Sequence, residues 1–123
     1  MASEKLVMFE GKKYICLETF KKNGQGVKTP VWFVIHDDII YVVTTDSSWK
    51  IKRLKNNKSV RIVPSDIKGT PKDQWMDGHA FFGDESELKL AMSLRNKKYG
   101  LFGRVVGMFV ANRGKLTVIG IKI

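Results

Sequence analysis

The sequence predicts a mainly β protein, with flanking helices, in which an antiparallel sheet curls into a barrel. Six segments rich in β-branched and aromatic residues are separated by Gly, Asn, Asp and Pro turn signals. The segments 27–36 and 39–45 are apolar on both faces, so helices or a second subunit must cover the outside of the barrel. No repeat, low-complexity tract or linker interrupts the 123 residues, and we expect one domain over residues 1–123.

The first half of the chain predicts a short helix followed by three strands of a meander. Asn23-Gly24 and Asp37-Asp38 are the turn signals between the strands. Proline cannot donate to a ladder, so Pro30 indicates an edge, a bulge or a docking site on the second strand. The predicted elements are a helix from Ser3, its N-cap, to Phe9 and strands at Tyr14–Phe20, Val27–His36 and Ile39–Thr45.

The second half predicts helices that alternate with the remaining strands. Asp84-Glu85-Ser86-Glu87 is a capping-box pattern that begins a helix, and Gly100 fits the end of that helix. Trp75 lies in a polar loop, Pro64–Gly78, where it would either cover a ligand or plug a barrel end. The helix after the capping box runs to about Tyr99, and Phe102–Ala111 is a second helical segment or a turn. The other predicted elements are a helix at Trp49–Lys55 and strands at Ser59–Val63, Gly78–Phe82 and Leu116–Ile123.

The net charge of +10 indicates an anionic partner, although a solubility role is an alternative. One cysteine excludes an intrachain disulfide, and two distant histidines make a poor metal set, so we expect no metal. No apolar run is long enough for a membrane span, and the N-terminus lacks the layout of a signal peptide. We therefore expect a cytoplasmic protein without membrane contact.

The stretch from Tyr41 to Arg53 changes from an apolar strand to a basic helix through Thr44-Thr45-Asp46-Ser47-Ser48. Lys50 falls in the first turn of that helix, at the positive end of the dipole, where a cation is unfavourable. An anion at the same place would remove the conflict, because backbone N–H groups, hydroxyls and an ammonium together form a phosphate site. A plain solvated basic helix is the alternative.

Three runs resemble the pyridoxamine 5′-phosphate oxidase-like split-barrel superfamily, and most closely its small flavin/deazaflavin oxidoreductase branch. They are Gly26-Val27-Lys28-Thr29-Pro30-Val31-Trp32-Phe33-Val34, Ile40-Tyr41-Val42-Val43-Thr44 and Ser48-Trp49-Lys50-Ile51-Lys52-Arg53-Leu54. The resemblance implies a six-stranded antiparallel split β-barrel, a homodimer, and two cofactor sites at the subunit interface. The cofactor would be FMN or the deazaflavin coenzyme F-420.

The resemblance also implies the site residues. The strand matching Lys28 to Phe33 lies along the flavin ring, Thr44 stands beside the cofactor, and Ser48 and Lys50 match a Ser-x-Lys phosphate turn. Trp49 departs from the arginine or glycine of relatives, so one phosphate contact would be missing and the indole would stack or shield instead. The expected cofactor-binding residues are Lys28, Thr29, Pro30, Val31, Val43, Thr44, Ser48, Trp49, Lys50 and Arg53, with Lys52 as a helper and no catalytic residue assigned.

The function predicted on this basis is an oxidoreductase that transfers hydride between the cofactor and a small conjugated substrate. Pyridoxamine phosphate oxidation is not expected, because the sequence ends at Ile123 without the substrate-binding segment of those oxidases. One alternative is a non-catalytic protein that binds the same cofactor for storage or sensing. Another is a basic nucleic-acid-binding barrel of the OB type; nucleic acid is not the expected partner, since Trp32, Phe33 and Tyr41 lie within apolar runs.

Overall fold

The computed structural model describes residues 4–111 and 115–123, with side chains described for residues 5–100 and 115–123. Within these ranges, no helix is long and apolar enough to cross a membrane. The predicted N-cap Ser3 lies outside the described residues. In chain order the elements are α1 (Glu4–Val7), β1 (Tyr14–Phe20), β2 (Gly26–Val31), β3 (Val34–His36), β4 (Ile39–Thr45), α2 (Trp49–Asn56), β5 (Ser59–Ser65), β6 (Met76–Phe82), α3 (Glu85–Ala111) and β7 (Leu116–Lys122).

The strands form one antiparallel sheet in the order β2-β1-β5-β6-β7-β4-β3. The mainly β class with flanking helices is confirmed, but the prediction of six strands is wrong, since the described residues contain seven. The predicted strand 27–36 is divided at Trp32 and Phe33 into β2 and β3, which lie at opposite edges of the sheet. Only three peptide steps, at most about 11 Å, separate Val31 from Val34. The two edges therefore come close together, and the sheet curls into a split barrel.

Side chains from α3 hold this division in place. The backbone N–H of Phe33 donates to the Tyr99 hydroxyl at 3.2 Å, and Lys98 Nζ donates to the Phe33 carbonyl at 2.9 Å. The Tyr99 hydroxyl also donates to the Lys13 carbonyl just before β1, at 2.7 Å. The backbone N–H and C=O of Phe33 thus form hydrogen bonds with side chains instead of a neighbouring strand. The strand can therefore be interrupted here without leaving these groups unpaired.

Two apolar clusters lie on the two faces of the sheet. The inner cluster includes Ile15 and Leu17 of β1 and Ile51 and Leu54 of α2, all buried. The outer cluster joins Tyr41 of β4 and Val118 of β7 to Ala91 of α3, with Val34 beside them. Helices on both faces explain why the central strands carry no polar face.

The turns and caps follow the local chemistry of the sequence. Asp37 and Asp38 have φ of 49° and 64°, the left-handed pair of a tight two-residue hairpin, and join β3 to β4. The capping box is confirmed: Asp84 Oδ1 accepts from the Glu87 N–H at 2.8 Å, and Glu87 Oε1 accepts from the Asp84 N–H at 3.2 Å. Gly100, with φ 63° and ψ −147°, breaks α3 into two helical segments, as predicted.

Candidate functional site

The start of α2 has the geometry expected for an N-capped helix. Ser48 is extended, with φ −68° and ψ 152°, and its Oγ accepts from the Ile51 N–H at 3.4 Å. The Trp49 and Lys50 N–H groups precede Ile51 and have no intrahelical acceptor. No acidic residue lies in the first turn of α2. This helix start therefore carries positive dipole and a lysine without an acidic side chain on its own turn.

Two cations lie side by side on α2. Lys50 is half-buried, and its pKa is lowered first by burial and then by the charge of Arg53. Burial also lowers the pKa of Arg53, whose Nε donates to Thr19 Oγ1 on β1 at 2.6 Å. Thr19 is fully buried, and its hydroxyl is uncharged. The hydrogen bond therefore holds the guanidinium of Arg53 in place without neutralising its charge. The two charges together raise the positive potential along this side of α2.

The edge strand β2 divides its residues between the two faces of the sheet. Lys28 and Pro30 are exposed on the outer face, where they pair in register with Glu18 and Cys16 of β1. Thr29 and Val31 alternate with them, and Val31 packs against the inner cluster. Pro30 therefore marks an edge strand, one of the readings that the sequence left open.

Trp75 lies on the same outer face as Lys28. Its ring centroid is 5.2 Å from Lys28 Nζ and 5.0 Å from Arg61 Cζ, so the half-buried indole stands between two cations. Arg61 in turn pairs with the buried Glu18 at 3.2 Å. Trp75 thus lies beside the exposed Lys28 side chain of the predicted ring-contacting strand, on its outer face.

The remaining expected site residues lie on β4, on two different faces. Thr44 is buried and follows Ile40 and Val42 on the inner side, while Val43 packs against the outer cluster beneath α3. In one chain, the residues expected on β2 and β4 belong to strands far apart in the sheet order. Arg53 of α2 lies near the start of β2, because it binds Thr19 of β1, the register partner of Val27.

A groove of about 250 Å³ opens beside α2, and we call it the basic groove. It includes the expected residues Trp49 and Arg53 and the helper Lys52, whereas Ser48 and Lys50 are not among its lining residues. Lys21 and Lys22 also line it; the sequence indicated only a hairpin turn there, and the packing of α2 on β1 brings that turn to the helix. The lining is Phe20, Lys21, Lys22, Trp49, Lys52, Arg53 and Asn56.

A second pocket, of about 300 Å³, lies at the division between β2 and β3. The rings of Trp32 and Tyr99 stack there at 4.2 Å and 7°, and Lys13, Tyr14 and Lys98 complete the lining. Lys98 is exposed as a whole, but its ammonium lies 3.6 Å from the Phe33 ring centroid, and this desolvated position lowers the pKa of Lys98 to about 8. The pocket has an aromatic wall and two lysines, and sequence reasoning did not identify it.

The other reactive residue types do not form a centre. Cys16 is buried and free, and burial raises its pKa, as expected for an inert thiol. Tyr41 is buried and donates to Glu87 Oε2 at 2.8 Å, which is a core role. Among the described residues, no group of three or more His, Cys, Asp or Glu side chains is placed to hold a metal ion.

Comparisons with known proteins identify the fold. No protein-family model matches the chain, and no curated protein matches its sequence. Among solved structures, the heme storage protein HutZ of Vibrio cholerae is 15% identical with a TM-score of 0.72, over 99% of this chain and 90% of HutZ. An FAD-binding protein of Mesorhizobium loti is 16% identical with a TM-score of 0.68, over 98% and 85% of the two chains.

A third structure, from Listeria innocua and provisionally named a pyridoxamine 5′-phosphate oxidase, is 14% identical with a TM-score of 0.62, over 96% and 89% of the two chains. These likenesses define the class of protein: the chain has the pyridoxamine 5′-phosphate oxidase-like split-barrel fold. The superfamily resemblance predicted from the sequence is confirmed at the level of the fold. Proteins that share this fold carry names that include heme storage and FAD binding, so the fold alone does not choose the ligand.

Proposed function

We propose that the protein binds FMN or the deazaflavin coenzyme F-420 and transfers hydride between that cofactor and a small conjugated substrate. The observation that carries the proposal is the start of α2, where Lys50 lies, partly desolvated, at the positive end of a capped helix, with the partly desolvated Arg53 of the last turn beside it. Each of these features is unfavourable for the free chain. A bound phosphate would compensate for all of them at once.

The chemistry of such a site resides in the cofactor, which carries the hydride when bound. The chain supplies binding and orientation: Ser48, Lys50 and Arg53 would hold the phosphate, and the β2 backbone from Lys28 to Val31 would lie along the ring. Trp75 would lie beside the outer side of that strand, since the Lys28 ammonium already lies over its indole ring. The absence of an assigned catalytic acid or base is consistent with this division of labour.

We propose further that the protein acts as a homodimer. The sequence resemblance implies cofactor sites at a subunit interface, and a second copy would bring expected residues of β2 and β4 from two chains to one ligand. Two-fold pairing would also cover the unpaired edges at β2 and β3.

The alternative is a protein that binds its ligand without turnover. The likeness to a heme storage protein over 99% of the chain supports this alternative. For heme itself, the chain offers two histidines as ligands. His36 is paired with Asp37 at 3.3 Å, and His79 is exposed on β6. A Soret band in the purified protein would identify heme, whereas flavin or deazaflavin absorption would identify the proposed cofactor.

The test of function is a single-turnover assay on the loaded protein. The protein is saturated with FMN or deazaflavin, the cofactor is reduced, and its reoxidation is followed with a set of small conjugated acceptors such as quinones and nitroaromatics. Acceptor-dependent oxidation faster than that of the free reduced cofactor supports the enzyme. Tight binding with oxidation no faster than in solution supports storage and overturns the hydride-transfer assignment.

A further inference from the structure

The basic groove contains an exposed aromatic surface that the fold does not need. Trp49 is 70% exposed although it belongs to the apolar residue types, and it lies outside both apolar clusters. Lys52 Nζ lies 4.3 Å from its ring centroid and occupies one face of the indole. With that exposure, the opposite face is open to solvent. An indole of this kind is suited to stack on a planar base.

The charges around Trp49 are all of one sign. Lys21, Lys22, Lys52 and Arg53 line the groove with no acidic residue among them, and none of the four takes part in an ion pair within the described part of the chain. Like charges that line one groove repel one another, and a ligand with more than one negative charge would relieve the repulsion. A single carboxylate would leave most of this charge unmatched.

The groove is also held in a defined shape. The Lys21 N–H donates to the Gln25 carbonyl and the Gly24 N–H to the Lys21 carbonyl, both at 2.9 Å, so the turn that carries the two lysines is closed by backbone bonds. Asn56 Nδ2 donates to the Lys52 carbonyl at 3.2 Å, which leaves the amide oxygen of Asn56 as an acceptor at the groove. An amide that keeps an acceptor and a second N–H is suited to the edge of adenine.

We propose that the basic groove binds an adenosine diphosphate group, with adenine on the open face of Trp49 and the two phosphates on Lys21, Lys22, Lys52 and Arg53. This inference goes beyond the proposed function, because it requires no redox step and shares only Trp49, Lys52 and Arg53 with the expected cofactor site. The group has two sources: a free nucleotide, or the adenosine diphosphate part of a dinucleotide cofactor. The chemistry that recognises it is the same in both.

The test is isothermal titration calorimetry of the full chain with ADP, inorganic pyrophosphate, FAD and FMN as probes. The variant Trp49→Ala removes the stacking surface, and Lys55→Ala, an exposed lysine of α2 outside the groove, is the matched control. We expect Trp49→Ala to weaken ADP binding about 5- to 150-fold, the effect of losing one base–aromatic stack, and to leave pyrophosphate binding unchanged. Because Trp49 is exposed, the variant should melt at the temperature of the wild type.

The outcomes separate the nucleotide site from the flavin site. If FAD binds more tightly than FMN and Trp49→Ala abolishes the difference, the source is a dinucleotide cofactor. If ADP binds and the affinity for FAD does not exceed that for FMN, the source is a free nucleotide. ADP that binds no better than pyrophosphate, or that binds Trp49→Ala as tightly as wild type, overturns the inference, as does the absence of ADP binding at millimolar concentration. FMN binding without ADP binding would overturn this inference alone, and ADP binding without flavin binding would overturn the proposed function alone.

Discussion

Replacing Lys50 with methionine should have opposite effects on the free chain and on cofactor binding. In the free chain, burial and the charge of Arg53 lower the pKa of Lys50, which means that folding disfavours the charged ammonium. Methionine keeps an apolar stem of similar length and removes the charge. We therefore expect the free energy of unfolding of Lys50→Met at pH 7 to equal or exceed that of the wild type.

The lowered pKa of Lys50 also sets the sign of the pH dependence of stability. Because the pKa of Lys50 is lower in the folded chain than its ordinary value of 10.5, the unfolded chain binds more protons between the two values. The wild type should gain stability relative to Lys50→Met as the pH rises through that window. Urea denaturation of both proteins at a series of pH values measures the difference.

The cofactor should respond in the other direction. A charge-assisted bond from Lys50 to a phosphate contributes about 1.5–3 kcal/mol, which corresponds to a Kd about 10- to 150-fold higher in Lys50→Met. Fluorescence titration with FMN and with the deazaflavin measures it, and Lys55→Met serves as the control because Lys55 is exposed on the same helix. A variant that is less stable than the wild type, yet binds the cofactor equally well, would refute the argument, because Lys50 would then be structural.

Three further predictions concern the fold. Tyr99→Phe removes the hydroxyl that joins Phe33, between β2 and β3, to Lys13, before β1, and should lower the free energy of unfolding in urea by about 1–3 kcal/mol, while Tyr14→Phe changes it little. With a pKa of about 8 for Lys98 in the folded chain against 10.5 when unfolded, the wild type should gain stability relative to Lys98→Met as pH rises from 8 to 10.5; a parallel pH profile would contradict this. Gly120→Ala places a Cβ against the Phe81 ring and should cost about 1–3 kcal/mol, and an unchanged thermal midpoint would show that the ring moves aside freely.

Local sequence preferences were sufficient to predict most helices, strands and turns. The turn at Asp37 and Asp38, the capping box at Asp84 and the break at Gly100 depend on residues whose backbone preferences are strong, and the structure confirms all three. The strands Tyr14–Phe20 and Ile39–Thr45 also have the predicted bounds. In these places tertiary packing and local preference favour the same conformation.

The division of the second strand could not be predicted in this way. Trp32 and Phe33 are apolar and have high β-propensity, so nothing local interrupts the run. The interruption comes from Tyr99 and Lys98, which lie 66 and 65 residues away and bind the Phe33 backbone. The strand prediction failed because a long-range contact, absent from any sequence window, decided the pairing.

In the candidate site, too, local sequence predicted some residues, and others depend on long-range packing. The unfavourable position of Lys50 could be predicted from the order of a strand, a hydroxyl-rich turn and a basic helix, and the structure places Ser48 and Lys50 at the helix start. Lys21 and Lys22 could not be assigned to any site, because they reach Trp49 and Lys52 only after α2 packs on β1. The sequence of their turn does not indicate that α2 packs beside it.

The measurement that tests the central claim most directly is the absorption spectrum of the purified protein, followed by titration with FMN and with the deazaflavin coenzyme. The proposed function predicts a bound flavin or deazaflavin chromophore, or micromolar or tighter binding of one of the two, with weaker binding to Lys50→Met. If neither cofactor binds at micromolar concentration, the start of α2 is not a cofactor phosphate site, and the proposed oxidoreductase function is wrong for this split barrel.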